Sequence, residues 1–552
     1  MSAKQSGSGR LSRRTLLKAG ALAAAAPTMA LGGSALAAGN NDNPGNGEGQ
    51  LGPHRELIEI TVAQLQAQLT SGQLTSRQLV QMYLERIAAL DQKGPRVNSV
   101  LQLNPDALDV AAALDKERKA GHIRGPLHGI PVLLKDNIDT GDKMDTTAGS
   151  LALLGSKPSS DAPVAAQLRA AGMVLLGKTT LSEWANFRST HSSSGWSGRG
   201  GQCNNPYELD RNPCGSSSGS GAAVAANLTA VSIGSETDGS IVCPANNCGV
   251  VGIKPTIGLV SRTGIIPISH NQDTAGPHGR TVADAATVLG AITAADPLDS
   301  ATQVPGRVAY ADYTQFLDAN ALHGAKIGVA RKGVTGYSEK TDAIFEQALA
   351  ALTAAGAILT DPADPPDMPS GTETIVLQYD FKHDLDAYLT TRNDPNIHTL
   401  QDLIDFNSAH ADQELKYFGQ ETFIASQARG AVTDSTYTTA LAADQAYAQQ
   451  FSTFLSSYDA VVAPTGSPAW TTDLIDGDHF EGASSSFAAI SGFPLVSVPM
   501  GATTGPDSTY GLPVGLTFMG PAWSEAKLIA LAYAFEQATH ARKPPTYRMS
   551  TP

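Results

Sequence analysis

The sequence predicts an α/β fold built as one large domain, with helices covering a mostly buried sheet. Three observations predict it. Between about residues 60 and 540, short runs rich in Val, Leu and Ile alternate with longer stretches of helical periodicity, the pattern of a sheet wrapped by helices. No internal repeat and no clean linker divides that stretch, although 552 residues exceed the usual size of one domain. With 41% hydrophobic and 16% charged residues, the chain can fill a large core.

Residues 1–37 read as a targeting segment. Ser12-Arg13-Arg14-Thr15-Leu16-Leu17-Lys18 carries a twin arginine, an Ala-rich stretch follows, and Ala35-Leu36-Ala37 offers the small residues of a cleavage site. Gly20, Pro27 and Gly32-Gly33 make the stretch too weakly apolar to span a bilayer, so no stable membrane anchor is expected. The expectation is twin-arginine (Tat) export, with that machinery as a partner and a periplasmic or extracellular location. Losing Lys4, Arg10, Arg13, Arg14 and Lys18 takes the formal charge from -14 to -19. A chain so acidic is a poor nucleic-acid binder, and its substrate is expected to be neutral or cationic.

Residues 38–53 form a Gly/Asn-rich linker with nothing to pack, and ordered structure is expected from His54. Over residues 76–90, Leu79, Val80, Tyr83, Leu84, Ile87 and Leu90 recur at three- and four-residue steps, predicting an amphipathic helix capped by Ser76. GIPVLLK reads as a buried strand, PVAAQLRAAG as a helix stopped by Gly172, and MVLLGKT as the next strand. The alternation resumes with AKIGVA, the helix TDAIFEQALAALTAAG, the strands YDAVVAPT and GLPVGLTFMG, and the helix SEAKLIALAYAFEQATHAR. DPLDSATQVPGR and PADPPDMPSG are expected as surface loops. The folded domain is thus expected over 54–545, its catalytic core over about 120–290, and a tail over 546–552.

Several chemistries can be weighed residue by residue. Gly215-Ser216-Ser217-Ser218-Gly219 fits the nucleophile-elbow pattern, but that elbow follows an apolar strand, and YELDRNPC before it is polar and turn-rich. Ser524 and Lys527 fit S-x-x-K, yet Ser524 stands where a helix N-cap is expected. Cys203, Cys214, Cys243 and Cys248 match no common zinc spacing and read as small core residues with at most one disulfide. No H-E-x-x-H, P-loop or dinucleotide fingerprint is present, so no metal or cofactor is expected.

Three blocks remain: HGIPVLLKDN, PCGSSSGSGAAVAAN, and ETDGSIVCPANNCGVVGIKPTIGLVS. Their order and spacing resemble the amidase signature family, and the resemblance spans most of the chain from about 60 to 540. It implies a central mixed β-sheet covered by helices on both faces, and a triad of Lys135, a cis Ser216 and the nucleophile Ser240. The chemistry is consistent with that carry-over. A serine hydroxyl needs a base to take its proton, and amide cleavage needs a donor to the leaving nitrogen. Lysine serves only when neutral, and burial at the end of the apolar run 130–134 suits Lys135 to that state. The backbone N–H groups of Thr237, Asp238, Gly239 and Ser240 are the expected oxyanion hole. Many family members carry a second glycine where this chain has Asp238.

GKTTLSEWANFR, SGWSGRGGQ, SIVCP and GLPVGLTFMGPAWSEAKLIALAYAFEQ carry the resemblance further, to the bacterial branch that removes the C-terminal amide nitrogen from peptides. The expected partners are a peptide or small-molecule amide and water, with ammonia released through an acyl-enzyme on Ser240. Aryl, short aliphatic and fatty amides are alternative substrates, and an exported protein that binds amidated peptides without cleaving them is the alternative from another class.

Overall fold

The apolar runs become strands, and in chain order they are β1 (Val100–Leu103), β2 (Pro131–Lys135), β3 (Val174–Thr179), β4 (Trp196–Ser197), β5 (Gly201–Gln202), β6 (Val231–Glu236), β7 (Val251–Lys254), β8 (Thr274–Gly279), β9 (Lys326–Val329), β10 (Ile358–Thr360), β11 (Ala460–Pro464), β12 (Leu495–Thr504) and β13 (Tyr510–Met519). These come from a computed structural model that describes residues 51–504 and 510–549. The targeting segment 1–37 and most of the expected linker lie outside the described residues.

Apart from the small β4–β5 hairpin, the strands join one sheet in the order β1-β3-β2-β6-β8-β7-β12-β13-β11-β9-β10. β2 runs parallel to both β3 and β6, β9 runs parallel to β10 and β11, and the remaining pairs are antiparallel. The sheet is therefore mixed, and helices flank it in a single α/β domain. Every residue of β2, β3 and β6 is buried, as parallel strands between helical layers require.

The helix Ser218–Ala225 shows how sequence sets that packing. All eight residues of SGSGAAVA are buried, and the helix lies against β2, β3 and β6. Small side chains allow the close approach: a Cβ at Gly219 would stand 2.3 Å from the Ser99 carbonyl oxygen. On the other side of the chain's length, the helix Glu525–Thr539 packs on β12 and β13, burying Leu528, Ile529, Leu531 and Phe535.

Several expectations change in detail. The helix at 76 is capped by Thr75, not Ser76. Thr75 Oγ1 accepts the Gln78 N–H at 3.1 Å and Gln78 Oε1 accepts the Thr75 N–H at 2.9 Å, a reciprocal capping box. Ser76 instead donates to the Gly129 carbonyl at 2.8 Å, fastening the helix to the approach of β2. Ser524 does occupy the N-cap, but its hydroxyl makes no capping bond. The run DPLDSATQVPGR is more than surface loop: Asp296, Asp299 and Thr302 are buried, and Asp299 holds the Arg262 guanidinium through two bonds of 2.6 and 2.9 Å and its backbone N–H at 2.9 Å.

Packing also continues past residue 545. Tyr547 is 2% exposed and donates its hydroxyl to the Ala226 carbonyl at 3.0 Å, at the end of the helix that follows Ser216. Truncating a buried aromatic costs about 3–5 kcal/mol. A chain ended at residue 545 is accordingly expected to lose several degrees of thermal midpoint relative to the full chain. An unchanged midpoint would show that residues 546–552 are dispensable.

Candidate active site

Lys135 ends β2, held between β3 and β6, and its side chain is fully buried. Its Nζ donates to Ser216 Oγ at 2.7 Å, to Ser235 Oγ at 2.9 Å and to the Ser235 carbonyl at 3.1 Å. Burial lowers its pKa from 10.5 to about 7, and the charges of Asp273 and Glu236 oppose that shift only in part. A shift of that size corresponds to roughly 5 kcal/mol of disfavoured charge. The lysine is thus poised between its two protonation states near neutral pH.

Ser216 follows a cis Gly215–Ser216 bond and is almost fully buried. Its neighbour Ser217, the residue of the elbow pattern, is occupied structurally: its hydroxyl donates to the Ser235 carbonyl at 3.0 Å and accepts the Ser235 N–H at 3.2 Å. A hydroxyl fixed in both directions against β6 is not free to attack, which removes the elbow reading. The Ser217 N–H donates to the Ser240 carbonyl at 3.1 Å, so the loop carrying Ser216 is tied to Ser240 itself. A disulfide between Cys214 and Cys243 joins the same two segments covalently, while Cys203 and Cys248 are free and buried.

Ser240 lies in the turn between β6 and the helix Val242–Asn247, and is 8% exposed. Its hydroxyl and that of Ser216 do not hydrogen-bond to each other among the described residues. Within the turn, Glu236 accepts the N–H groups of Ile241 and Val242 at 2.7 and 3.0 Å, shaping the chain around Ser240. The N–H groups of residues 237–240 donate to no protein acceptor among the described residues. Donors left free beside a serine can receive an oxyanion. Gly239 has φ 75°, and a Cβ there would also meet Ser485 Oγ at 3.0 Å, so glycine suits the position twice over.

Asp238, where many family members have glycine, is anchored by the hydroxyls of Ser485 and Ser486 at 2.5 and 2.6 Å. Glu373 stands against it, and burial together with the Asp238 charge pushes the Glu373 carboxyl up to about 8. Asn246 and Asn247 form a buried bracket. Asn246 donates to Asn247 Oδ1 and to the Ser467 carbonyl, each at 2.8 Å, and accepts the Gly515 N–H at 2.7 Å. The helix after Ser240 is thereby fixed to β13. A cavity of about 450 Å³ opens at this turn, lined by Gly215, Asp238, Gly239, Trp470 and both disulfide cysteines.

The structure therefore brings Lys135, Ser216 and the turn of Thr237, Asp238, Gly239 and Ser240 together. Sequence reasoning missed Ser235, which holds Lys135 and also accepts from Asn137 Nδ2 at 2.9 Å. It missed Asp273, whose carboxylate accepts the Thr237 hydroxyl at 2.5 Å and is pushed up to about 6 by burial. Ser235 carries a signal in retrospect, being a polar residue two positions after Ile233 on the same face of a buried strand. Asp273 offers none, because its role depends on a loop that returns from over thirty residues away.

A mixed sheet flanked by helices, with a buried lysine bonded to a cis serine under a glycine turn, defines the amidase class of hydrolases acting on amides. The chain belongs to the Amidase family, whose model matches residues 78–529. The crystal structure of a peptide amidase in complex with the competitive inhibitor chymostatin is 51% identical, with a TM-score of 0.84 over 89% of this chain and 99% of that one. The native peptide amidase from Stenotrophomonas maltophilia is likewise 51% identical, with a TM-score of 0.82 over 88% of this chain and 98% of that one. A probable amidase of Arabidopsis thaliana is 42% identical over 503 residues, covering 89% of this chain and 92% of its own length.

The Cys214–Cys243 bridge closes a segment with a sequence separation of 29, for which loop-closure entropy predicts about 3–4 kcal/mol. A Cys214→Ser/Cys243→Ser variant is expected to lose stability of that order in denaturant titrations. Midpoints that coincide with those of the parent protein would show that the bridge adds nothing to an already fixed geometry.

Proposed function

We propose that the protein hydrolyses the C-terminal amide of peptides and releases ammonia, with Ser240 as nucleophile, Ser216 as bridge and Lys135 as base. The 2.7 Å bond from Lys135 to Ser216, inside a site that lowers the lysine to about 7, is the observation that carries this mechanism. Neutral Lys135 takes the Ser216 proton while Ser216 takes that of Ser240, and Ser240 Oγ bonds to the amide carbon. The oxygen that gains the electron pair is received by the free N–H groups of residues 237–240. Collapse breaks the carbon–nitrogen bond, and the proton on Lys135 returns through Ser216 to the leaving nitrogen. Water then attacks the acyl-enzyme with the same relay, releasing the carboxylic acid and restoring Ser240.

Peptide amides are favoured as substrates by the 51% identity to proteins described as peptide amidases over nearly their whole length. The cavity over the Gly239 turn, with Trp470 in its lining and carboxylates at Asp238 and Asp478, suits a neutral or cationic peptide. Ser240→Ala is expected to abolish ammonia release from peptide amides and labelling by an acylating reagent. Lys135→Ala is expected to lower turnover by roughly three orders of magnitude or more with the fold retained. The base must be neutral, so kcat/KM in the parent protein is expected to rise with pH through about 7 and level off above it. Release from aryl amides but not from a panel of peptide amides would move the substrate assignment. Full activity in Lys135→Ala would remove the relay.

We also propose that the protein works outside the cytoplasm after twin-arginine export. Arg13-Arg14 and the small residues at 35–37 support this, as does a disulfide, since such bonds persist in oxidising compartments. In a bacterial host with this export route, the parent protein is expected in the periplasmic or external fraction with its amino terminus at Ala38. Arg13→Lys/Arg14→Lys is expected to keep it in the cytoplasm, and equal export of that variant would exclude the twin-arginine route.

A further inference from the structure

A second cavity, of about 500 Å³, is bounded by Asp273, the carboxylate that accepts the Thr237 hydroxyl, and by His270 and Asp384. His383 precedes Asp384 on the helix Thr372–Thr390. One ring nitrogen from each histidine and one Asp384 oxygen all lie within 4.8 Å of one another. His270 Nδ1 is 2.9 Å from Asp384 Oδ2, and His383 Nδ1 is 2.9 Å from Asp384 Oδ1. The carboxylate is itself aimed by the His270 backbone N–H, which donates to Oδ2 at 2.8 Å.

We propose that His270, His383 and Asp384 form a binding site for a borderline divalent transition-metal ion, with zinc as the prototype. Two imidazoles and one carboxylate are a donor set that zinc favours, and three protein ligands leave a fourth position for water. Tetrahedral bonds of about 2.0–2.1 Å put ligand atoms about 3.3 Å apart. Asp384 Oδ1, which both rings approach, is 3.1 Å from His270 Nδ1 and 2.9 Å from His383 Nδ1, so these pairs reach that spacing by opening a few tenths of an ångström. With side chains 46% and 58% exposed, the two histidines leave a direct path from solvent, while Asp384 is 13% exposed and provides a fixed floor. Magnesium, which demands six oxygen ligands in an octahedron, finds no such set here.

The ion would fasten an existing strap. Asp380, one helical turn before Asp384, accepts Ser269 Oγ at 2.6 Å, Asn271 Nδ2 at 2.7 Å and the Tyr437 hydroxyl at 2.8 Å. On its other side the loop 268–273 is closed by Asp273, which accepts the N–H groups of Ile268 and Ser269 at 2.8 and 3.0 Å and also holds Thr237. A metal bridging His270 to the helix would lock the segment that supports the Ser240 turn. This role is independent of the substrate, and the ion takes no part in amide cleavage.

The test uses untagged full-length protein, titrated calorimetrically with zinc chloride and, in parallel, magnesium chloride, with thermal unfolding followed in each. Saturable binding of one zinc and a rise in thermal midpoint are expected, with neither seen for magnesium. His383→Ala removes a side chain whose hydrogen bond among the described residues is to Asp384 alone. It is expected to keep the metal-free midpoint, weaken zinc binding by at least about tenfold and lose the midpoint rise. His270→Asn gives a second reading should the first variant fold poorly. Absence of saturable zinc binding, magnesium binding of equal strength, or unchanged zinc affinity in a folded variant of either histidine would each overturn the site.

Discussion

The contact between Lys135 Nζ and Ser216 Oγ is the constraint on which the rest of this site depends. It requires an amine in the interior, and the fold supplies one by ending β2 between two parallel neighbours, where the Lys135 side chain is fully buried. It also requires a serine loop that approaches from the adjoining helix. That approach is possible because the helix Ser218–Ala225 is made of residues small enough to lie directly on the sheet. Burial then does the electrostatic work: removing water penalises the ammonium, and the carboxylates of Asp273 and Glu236 restore only part of the difference. Sheet topology, helix composition and lysine chemistry are therefore parts of one arrangement.

The second constraint is that two loops from different elements must keep a common register. Here the redundancy is high. The Ser217 N–H reaches Ser240, Glu236 folds the turn onto itself, the Cys214–Cys243 bridge links the segments, and the Asn246–Asn247 bracket ties the following helix to β13. Asp238 belongs to the same set. Where a second glycine would leave the turn free, its carboxylate is gripped by Ser485 and Ser486, so the departure from the family pattern adds an anchor to the turn.

Much of this was legible in the sequence, for reasons that differ by residue. Lys135, Ser216 and Ser240 sit in contiguous blocks whose composition reports their surroundings: an apolar run before the lysine, and small residues after each serine. The alternating strands and helices were legible because buried strands and amphipathic helices leave strong periodic signals. What escaped depends on contacts between distant segments. Thr75 and Ser76 are both good caps; the Thr75–Gln78 capping box is a local signal, and the tertiary bond from Ser76 to Gly129 takes up the competing hydroxyl. Tyr547 looked like tail because its partner, the Ala226 carbonyl, is 321 positions away. The His270 and Asp384 pairing, 114 residues apart, is invisible to any spacing rule.

Burial alone does not mark the base, because two other lysines are as deeply enclosed. Lys254 is lowered to about 8, and its Nζ faces the carbonyls of Phe493, Ala488 and Pro255 at 2.7, 3.4 and 3.5 Å. Carbonyl oxygens only accept, so that environment favours the fully protonated ammonium with three donors. Lys178 donates to the Ile138 carbonyl at 2.6 Å and to Thr146 Oγ1 at 2.8 Å, with Asp136 and Asp139 opposing the loss of its charge. Lys135 differs in facing two hydroxyls, Ser216 and Ser235, beside a single carbonyl, that of Ser235, and the hydroxyls can accept from the amine or donate back to it. A neutral amine can therefore be satisfied there with no acceptor left bare, and a proton can move along the same bond in either direction. The chemistry of the partners, more than the depth of burial, separates a lysine that can act as a base from one that holds a loop.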